Sequence, residues 1–280
     1  MTDQAEFWNE HGSTWVVWQE RLDRQIAPHG QLALDALDAK PGEAILDIGC
    51  GCGDTLLELA ERVGPSGRVV GLDVSAPMLA RARERVAKAG ADQVTIQEGD
   101  AAEASLAPES FDALFSRFGV MFFDEPVKAF SNFHQALRPG GRLAFVCWRG
   151  PQDNPWITVP MAAVAPLIEF PPPPPPGSPG MLSLADEDRL RGILGDAGFT
   201  EIMLEPADVV MAPGGGTLDG AVEMFLEIGP VASALRAAEA DDATRQRVED
   251  AVREAFAAQA GDGDQIQLSS GCWRVTAQRD

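Results

Sequence analysis

Between Ala44 and Trp148, apolar and polar positions follow two alternating rhythms. Short apolar runs at Ala44–Ile48, Arg68–Val74, Val94–Glu98, Phe111–Ser116 and Leu143–Trp148 read as strands. Between them the apolar spacing becomes helical: Leu56, Leu59 and Ala60 share a face within Thr55–Arg62. Ser75 and Pro77 supply a cap and a first-turn proline for a helix carrying Leu79, Ala82 and Val86. A further helix through Val127–Leu137 is closed by Pro139-Gly140-Gly141. Strands that alternate with helices predict an α/β fold, a doubly wound and mostly parallel sheet covered on both faces.

The flanks follow other patterns. The first forty residues read as helices anchored by Phe7, Trp8, Trp15 and Trp18, with a second helix over Gln31–Asp38. Six consecutive prolines, Pro171–Pro176, exclude helix and central strand and predict an extended stretch, read here as a stiff connector in a lid. Beyond them Asp186–Ala197, Leu218–Ile228 and Ala243–Ala258 are helical, and Glu201–Val210 has strand character. Gln265–Thr276 is placed as a last strand. The expected organisation is an N-terminal helical lid over 1–40 and a core over 41–150. A substrate cap containing a sixth strand occupies 151–264, and the closing strand 265–280.

Charge narrows the partners. Among 280 residues, 43 acids against 22 Lys and Arg give a net charge of −21, a surface that repels phosphate backbones and disfavours nucleic acid. The N-terminus lacks an apolar leader, and no apolar stretch approaches the roughly 20 residues of a membrane span, so cytoplasmic residence is expected. Cys50, Cys52, Cys147 and Cys272 form no C-x-x-C pair and no zinc spacing, so no metal is expected. A homodimer is left open.

The chemistry gathers at strand ends. The first strand runs into Asp47-Ile48-Gly49-Cys50-Gly51-Cys52-Gly53 and opens a helix, an arrangement that lets backbone amides approach a ligand. A dinucleotide fingerprint would put glycine at position 54, where Asp54 stands, and no Gly-Lys-Ser/Thr of a phosphate loop follows. A carboxylate just before the turn suits a cationic ligand. Asp73 ends the second strand, where it could accept from two ribose hydroxyls, and Asp100 ends the third, within reach of an adenine amino group.

This set resembles class I S-adenosylmethionine-dependent methyltransferases. Ile45–Gly53 looks like their first motif, and Gly71-Leu72-Asp73-Val74-Ser75 with Pro77-Met78-Leu79 is similar to their second. Phe111–Arg117 resembles the fourth-strand motif, and Ala136–Leu143 the turn into strand five. The subgroup of ubiquinone- and menaquinone-biosynthesis-like enzymes is the nearest in pattern. The resemblance implies a seven-stranded sheet with its last strand antiparallel. It implies S-adenosylmethionine held by Asp47, Gly49, Gly51, Gly53, Asp73, Val74, Met78, Asp100, Ala101 and Ser116, with Trp8, Trp15 and Gln19 of the N-terminal lid folded over it.

Methyl transfer from a sulfonium is an in-line displacement that depends on alignment and water exclusion, so a general base is optional. Tyrosine is absent from the chain; His11 is the first candidate to touch substrate, ahead of His29 and His134. Arg117, at the end of the fourth strand, either neutralises an acidic substrate or pairs with an aspartate of the cofactor site. Trp148 and Trp156 either wall an apolar acceptor pocket or pack in the core. The expected function is methylation of a small-molecule acceptor at O, N or C. Two other readings stand beside it: a nicotinamide-dependent oxidoreductase, and a sensor or scaffold that binds S-adenosylmethionine without turnover.

Overall fold

A computed structural model of the protein describes residues 3–172, 174–175, 177–260 and 265–280. Two members of the proline run, Pro173 and Pro176, and the segment 261–264 lie outside the described residues.

The predicted alternation builds the sheet. Strands β1 (Ala44–Ile48), β2 (Arg68–Asp73), β3 (Val94–Glu98), β4 (Phe111–Arg117), β5 (Leu137–Trp148), β6 (Thr200–Met211) and β7 (Leu268–Gln278) form one seven-stranded sheet in the order β3-β2-β1-β4-β5-β7-β6. The pairings β1–β2, β1–β4, β2–β3 and β4–β5 are parallel, and β7 runs antiparallel to both β5 and β6. β1 is buried along its whole length, as its unbroken apolar run requires of a central parallel strand. The helices α2 (Asp54–Val63), α3 (Ala76–Ala89), α4 (Pro126–Ala136) and α6 (Glu187–Asp196) accompany the strands. Strand order reverses between β1 and β4, and ligands of open α/β sheets bind beyond the carboxyl ends of strands at such a point.

Local patterning misses in three places. The two N-terminal helices are one 35-residue helix, α1 (Asp3–Leu37), which runs through Pro28. A proline inside a helix removes one backbone hydrogen bond. The loss is offset by burial on both sides of it, with Trp18 and Leu22 at 7% exposure and Ala33, Leu34 and Leu37 at 1% or less. The Pro139-Gly140-Gly141 turn falls inside β5, where the register jumps between Phe111–Leu137 and Ala113–Arg142. Finally α5 (Pro155–Val164) and α8 (Pro230–Ala237) had no helical period to announce them. α5 is apolar nearly all round and contains Pro160, and α8 is only eight residues long.

With α7 (Leu218–Glu227) and α9 (Asp242–Ala257), α5 and α8 form a helical cap beside the carboxyl ends of the strands. Phe225 of α7 meets Phe256 of α9 edge-on at 5.1 Å in its core. α6 packs instead on α4 and β6, as a cover of the sheet. Among the described residues no helix is long and apolar enough to cross a membrane.

Candidate functional site

The turn after β1 is fixed by backbone contacts. Gly49, Gly51 and Gly53 have φ values of 70°, 52° and 80°, in the left-handed region that glycine alone adopts without strain. The Gly49 and Cys50 amides donate to the Leu72 carbonyl at 2.8 and 3.2 Å, and Gly53 donates to Cys50 at 2.9 Å. Chain returning from β4 presses on the turn from the other side. A Cβ on Gly49 would lie 2.7 Å from the Gly119 Cα, and one on Gly119 would lie 2.6 Å from the Ile48 carbonyl oxygen. The two glycines therefore meet backbone to backbone.

Three carboxylates stand at the ends of β1, β2 and β3. Asp73 accepts from the Gly51 amide at 2.8 Å through one oxygen and from the Ser75 amide at 2.9 Å through the other. Each oxygen keeps a second acceptor position. Burial raises its pKa against the opposing pull of those amides, although part of its surface remains open to the cavity. Asp100 accepts from the Ala102 amide at 2.9 Å and lines the same cavity.

Asp47 is fully buried. One oxygen accepts from the Thr55 hydroxyl at 2.5 Å, and the other has no hydrogen-bond partner among the described residues. Desolvation pushes its pKa up to about 7, against the lowering effect of the Thr55 bond and of Arg117. Since the folded-state value lies above the unfolded one, the stability tied to protonated Asp47 is complete below about pH 4. It is lost as pH rises toward about 7. Asp47→Asn mimics the protonated form. It is expected to stabilise the ligand-free protein by on the order of 4 kcal/mol at pH 8, and by less than half of that at pH 5. Thermal unfolding at the two pH values checks this, and an equal gain at both would contradict it.

A cavity of about 440 Å³ opens over these strand ends. Its wall at the strand ends is lined by Gly49, Gly51, Asp73, Val74, Met78, Asp100 and Ala101, and α1 supplies Trp8, His11, Trp15 and Gln19 as a roof. Trp8 meets Trp15 edge-on at 5.4 Å and Phe122 at 5.0 Å. α1 is tied down beside the motif-two strand: the Asn9 side chain donates to the Val74 carbonyl at 3.0 Å and accepts from the Ala76 amide at 2.9 Å. The far end is lined by Phe118, Met121, Trp148, Trp156 and Phe225.

Of the residues singled out in the sequence, Asp47, Gly53 and Ser116 stand behind this wall. Gly53 caps α2, and a Cβ there would come within 2.9 Å of the Ala82 Cβ. The buried Ser116 hydroxyl donates to the Ile48 carbonyl at 2.7 Å and accepts from the Gly119 amide at 3.2 Å, joining β4 to the glycine turn. Arg117 lines the cavity but is engaged, pairing with Asp54 at 2.9 Å and Asp23 at 3.4 Å. Arg85 pairs with the same two acids at 3.0 and 2.9 Å, so two arginines and two aspartates close a neutral ring linking α1, α2, α3 and β4. Burial, and then the neighbouring Asp54, raise the Asp23 pKa. Gln19 belongs to the same network, donating to Asp23 and accepting from Arg81.

His11 stacks on Phe7 at 4.3 Å, its Nδ1 2.9 Å from the Phe7 carbonyl. His29 is fully buried and lies outside the cavity wall. Ser270 gives its hydroxyl proton to the Val209 carbonyl, so His29 Nε2 is the donor in their 2.7 Å bond. Among the described residues Nδ1 has no partner of ordinary geometry, although the nearby Ile26 carbonyl favours its proton slightly. Burial, with Arg117 second, drives the His29 pKa down to about 4, which leaves the ring neutral at pH 7.

Phe118 carried no signal in the sequence. It has φ 64° and ψ 2°, a left-handed conformation that costs a bulky residue about 1–2 kcal/mol. The backbone reversal that brings Gly119 against Gly49 puts it there, held by the Phe118 amide donating to the Val146 carbonyl at 3.1 Å. Its ring stacks on Trp148, with centroids 4.0 Å apart and planes 13° apart.

Residues 45–141, about a third of the chain, match a family described as a methyltransferase domain. The nocamycin O-methyltransferase of Saccharothrix syringae is 34% identical over 128 residues, 46% of this chain and 45% of that protein. The 2-phytyl-1,4-naphtoquinone methyltransferase of Thermosynechococcus vestitus is 38% identical over 124 residues, 44% of this chain and 54% of that one. The chain thus spans about half the length of the curated relatives it matches. Among solved structures, phosphoethanolamine N-methyltransferase 2 of Haemonchus contortus, in complex with phosphomonomethylethanolamine and S-adenosylhomocysteine, superposes over 100% of this chain and 60% of its own. That match has a TM-score of 0.62 and 20% identity, a likeness of fold alone. The sheet order and acidic glycine turn define the Rossmann-like class of fold and site. With the family match, they make residues 45–141 a class I S-adenosylmethionine-dependent methyltransferase domain.

Proposed function

We propose that the protein transfers a methyl group from S-adenosylmethionine to a small-molecule acceptor. The observation that carries this reading is the placement of Asp73 and Asp100 with the glycine turn on one wall of a single cavity, whose far end is apolar. The residues present suit that cofactor. Asp73 would hold the two ribose hydroxyls through its remaining acceptor positions. Asp100 and the Ala101 backbone would face the adenine, Met78 would pack on it, and the Gly49–Gly51 backbone would face the amino-acid portion. Asp47, buried behind the turn, would be drawn to its charged form by a cationic ligand, since a nearby positive charge opposes the desolvation that raises its pKa. When bound, the cofactor supplies a methyl group already activated by its positive sulfur.

The chain's own part is alignment and exclusion of water. Trp8, Trp15 and Gln19 on α1 would close over the cofactor, and the α5–α7–α8–α9 cap over the acceptor. Arg117, paired with Asp23 and Asp54, acts in this reading by fixing α1 to the core. His11 is the titratable side chain proposed to meet the acceptor at the roof. The net charge of −21 supports a small molecule over nucleic acid, and cytoplasmic residence belongs to the same proposal.

A nicotinamide dinucleotide fits less well, because Asp54 sets a carboxylate in the first turn of α2, where a pyrophosphate would sit. Calorimetric titration separates the two. S-adenosylhomocysteine is expected to bind at a one-to-one ratio and NADH to give no heat of binding. Saturable NADH binding without any for S-adenosylhomocysteine would overturn the reading. Tight cofactor binding with no transfer to any of a broad acceptor panel would favour a sensor.

A further inference from the structure

We propose that Gln25 positions the methyl acceptor, its side-chain amide donating a hydrogen bond from Nε2 to an oxygen of that molecule. The inference rests on the cofactor reading above and adds to it a binding contact in the other half of the cavity.

Three buried side chains that carry an amide or a hydroxyl line the cavity among the described residues: Gln19, Gln25 and Thr55. Gln19 is used at both ends, donating to Asp23 and accepting from Arg81, and the Thr55 hydroxyl donates to Asp47. Gln25 is used at one end only. Its Oε1 accepts from the Gly214 amide at 3.1 Å, and because a backbone N–H can only donate, the atom facing it is the oxygen. Nε2 then has two hydrogens to give and no hydrogen-bond partner among the described residues. Gln25 is 5% exposed, and the surface it keeps opens on the cavity that it lines. Buried donors are nearly always paired, so an unpaired one on a cavity wall points to a ligand atom that completes it.

The oxygen end is held in place. Gly214, in the turn Pro213–Gly215, has φ 60° and ψ 16°, and a Cβ there would lie 2.0 Å from the Gly220 carbonyl oxygen. Gly220 stands in the first turn of α7, where its amide donates to the Thr217 hydroxyl at 3.1 Å. The backbone that anchors Oε1 is thus pressed against the cap, and Nε2 is oriented before any ligand arrives.

Gln25 also stands on the acceptor side. It lies one helical turn before His29 on α1, and the His29 ring meets Phe118 at 5.5 Å and Trp148 at 4.9 Å. On its other side Gly214 leads toward α7, which brings Met224 and Phe225 to the cavity. Leu22 and Ile26 flank it in the same wall, and Arg117 is engaged by Asp54 and Asp23. In such surroundings a spare N–H donor favours a ligand that presents a lone pair and penalises one that presents only N–H groups. An oxygen held there turns the acceptor so that the same atom of it always faces the methyl group.

The test uses the full chain saturated with S-adenosylhomocysteine, titrated calorimetrically with camphor and, separately, with bornylamine. The two share one compact apolar skeleton, and differ in presenting a carbonyl oxygen or a charged ammonium. Camphor is expected to bind and bornylamine to give no heat. The infrared carbonyl stretch of bound camphor is expected below its frequency in hexane, as a donated hydrogen bond requires. Gln25→Glu, at pH 8 where a carboxyl group is ionised, keeps an oxygen for the Gly214 amide and loses the donor. It is expected to weaken camphor by about 3- to 10-fold and to raise the stretch, with S-adenosylhomocysteine affinity within about twofold of wild type. Should Gln25→Glu not fold, Gln25→Met removes the donor at similar size and is expected to act in the same range. Failure of S-adenosylhomocysteine itself to bind would sink the cofactor reading and this one with it. With that ligand bound, a purely structural Gln25 would leave camphor affinity and stretch unchanged in Gln25→Glu, or in Gln25→Met where that variant replaces it. That result would overturn the inference alone, as would no binding of camphor, a wild-type stretch at the hexane value, or bornylamine binding in preference to camphor.

Discussion

Gly49→Ala is expected to lower the melting temperature by about 5–10 °C and to cut S-adenosylhomocysteine affinity at least tenfold. Two costs combine. The first is conformational: φ at Gly49 is 70°, and a Cβ in that region costs about 1–2 kcal/mol. The second is steric, and here the neighbour cannot yield cheaply. The new Cβ would lie 2.7 Å from the Gly119 Cα, which is backbone held by the Ser116 hydroxyl. Overpacking of this kind adds about 1–3 kcal/mol, and in a chain of this length each kcal/mol moves the melting temperature by roughly 2–4 °C. Relief can come only by parting the glycine turn from the β4 return, which displaces Gly49 and Gly51 in the cavity wall. Differential scanning calorimetry and a binding titration read both effects. A melting temperature within about 1 °C of wild type would show that this close approach does not constrain the turn.

The core of the fold was legible because every strand of its parallel part is either buried on both faces or punctuated by glycine. β1 and β3 run over Ala44–Ile48 and Val94–Glu98, the spans that periodicity alone suggests. The closing strand was placed two or three residues early, since Gln265–Gln267 precedes the paired span Leu268–Gln278 and carries no turn residue to mark the boundary. α1 and α5 carry no such local signal. A proline reads as a stop, and an all-round apolar segment has no face, so only tertiary packing reveals that both are helices.

The candidate site divides in the same way. The glycine turn, Asp73 and Asp100 sit at strand ends, where spacing in the sequence maps onto position in the sheet. Arg117 was equally visible, but its two alternatives could be separated only by seeing Asp23 arrive from a helix nearly a hundred residues earlier. Phe118, Met121 and Phe122 were invisible as site residues, because an aromatic after a strand reads as core. What assigns Phe118 to the cavity is a backbone reversal that depends on Gly119 meeting Gly49, a contact between distant segments with no local signature.

Asp73 is where the second large effect is expected. Its two oxygens already accept from the Gly51 and Ser75 amides, so the carboxylate is oriented before any ligand arrives. Two hydroxyls of a ribose would add hydrogen bonds to a charged acceptor, each worth about 1.5–3 kcal/mol where water is excluded. Asp73→Ala also leaves those amides unpaired on the cavity wall. The part of this loss that reaches binding is about 2–3.5 kcal/mol, or roughly 30- to 300-fold in affinity. Asp73→Asn, which can pair with only one of the amides, is expected to fall between Asp73→Ala and wild type. The decisive measurement is the calorimetric dissociation constant of S-adenosylhomocysteine for the wild-type protein and Asp73→Ala, with unfolding curves confirming that both are native. The account predicts one-to-one binding to the wild type and a loss of at least 30-fold in the variant. Equal affinity in the two folded proteins would contradict it, and would mean that the cavity above β1, β2 and β3 does not hold the adenosyl ribose.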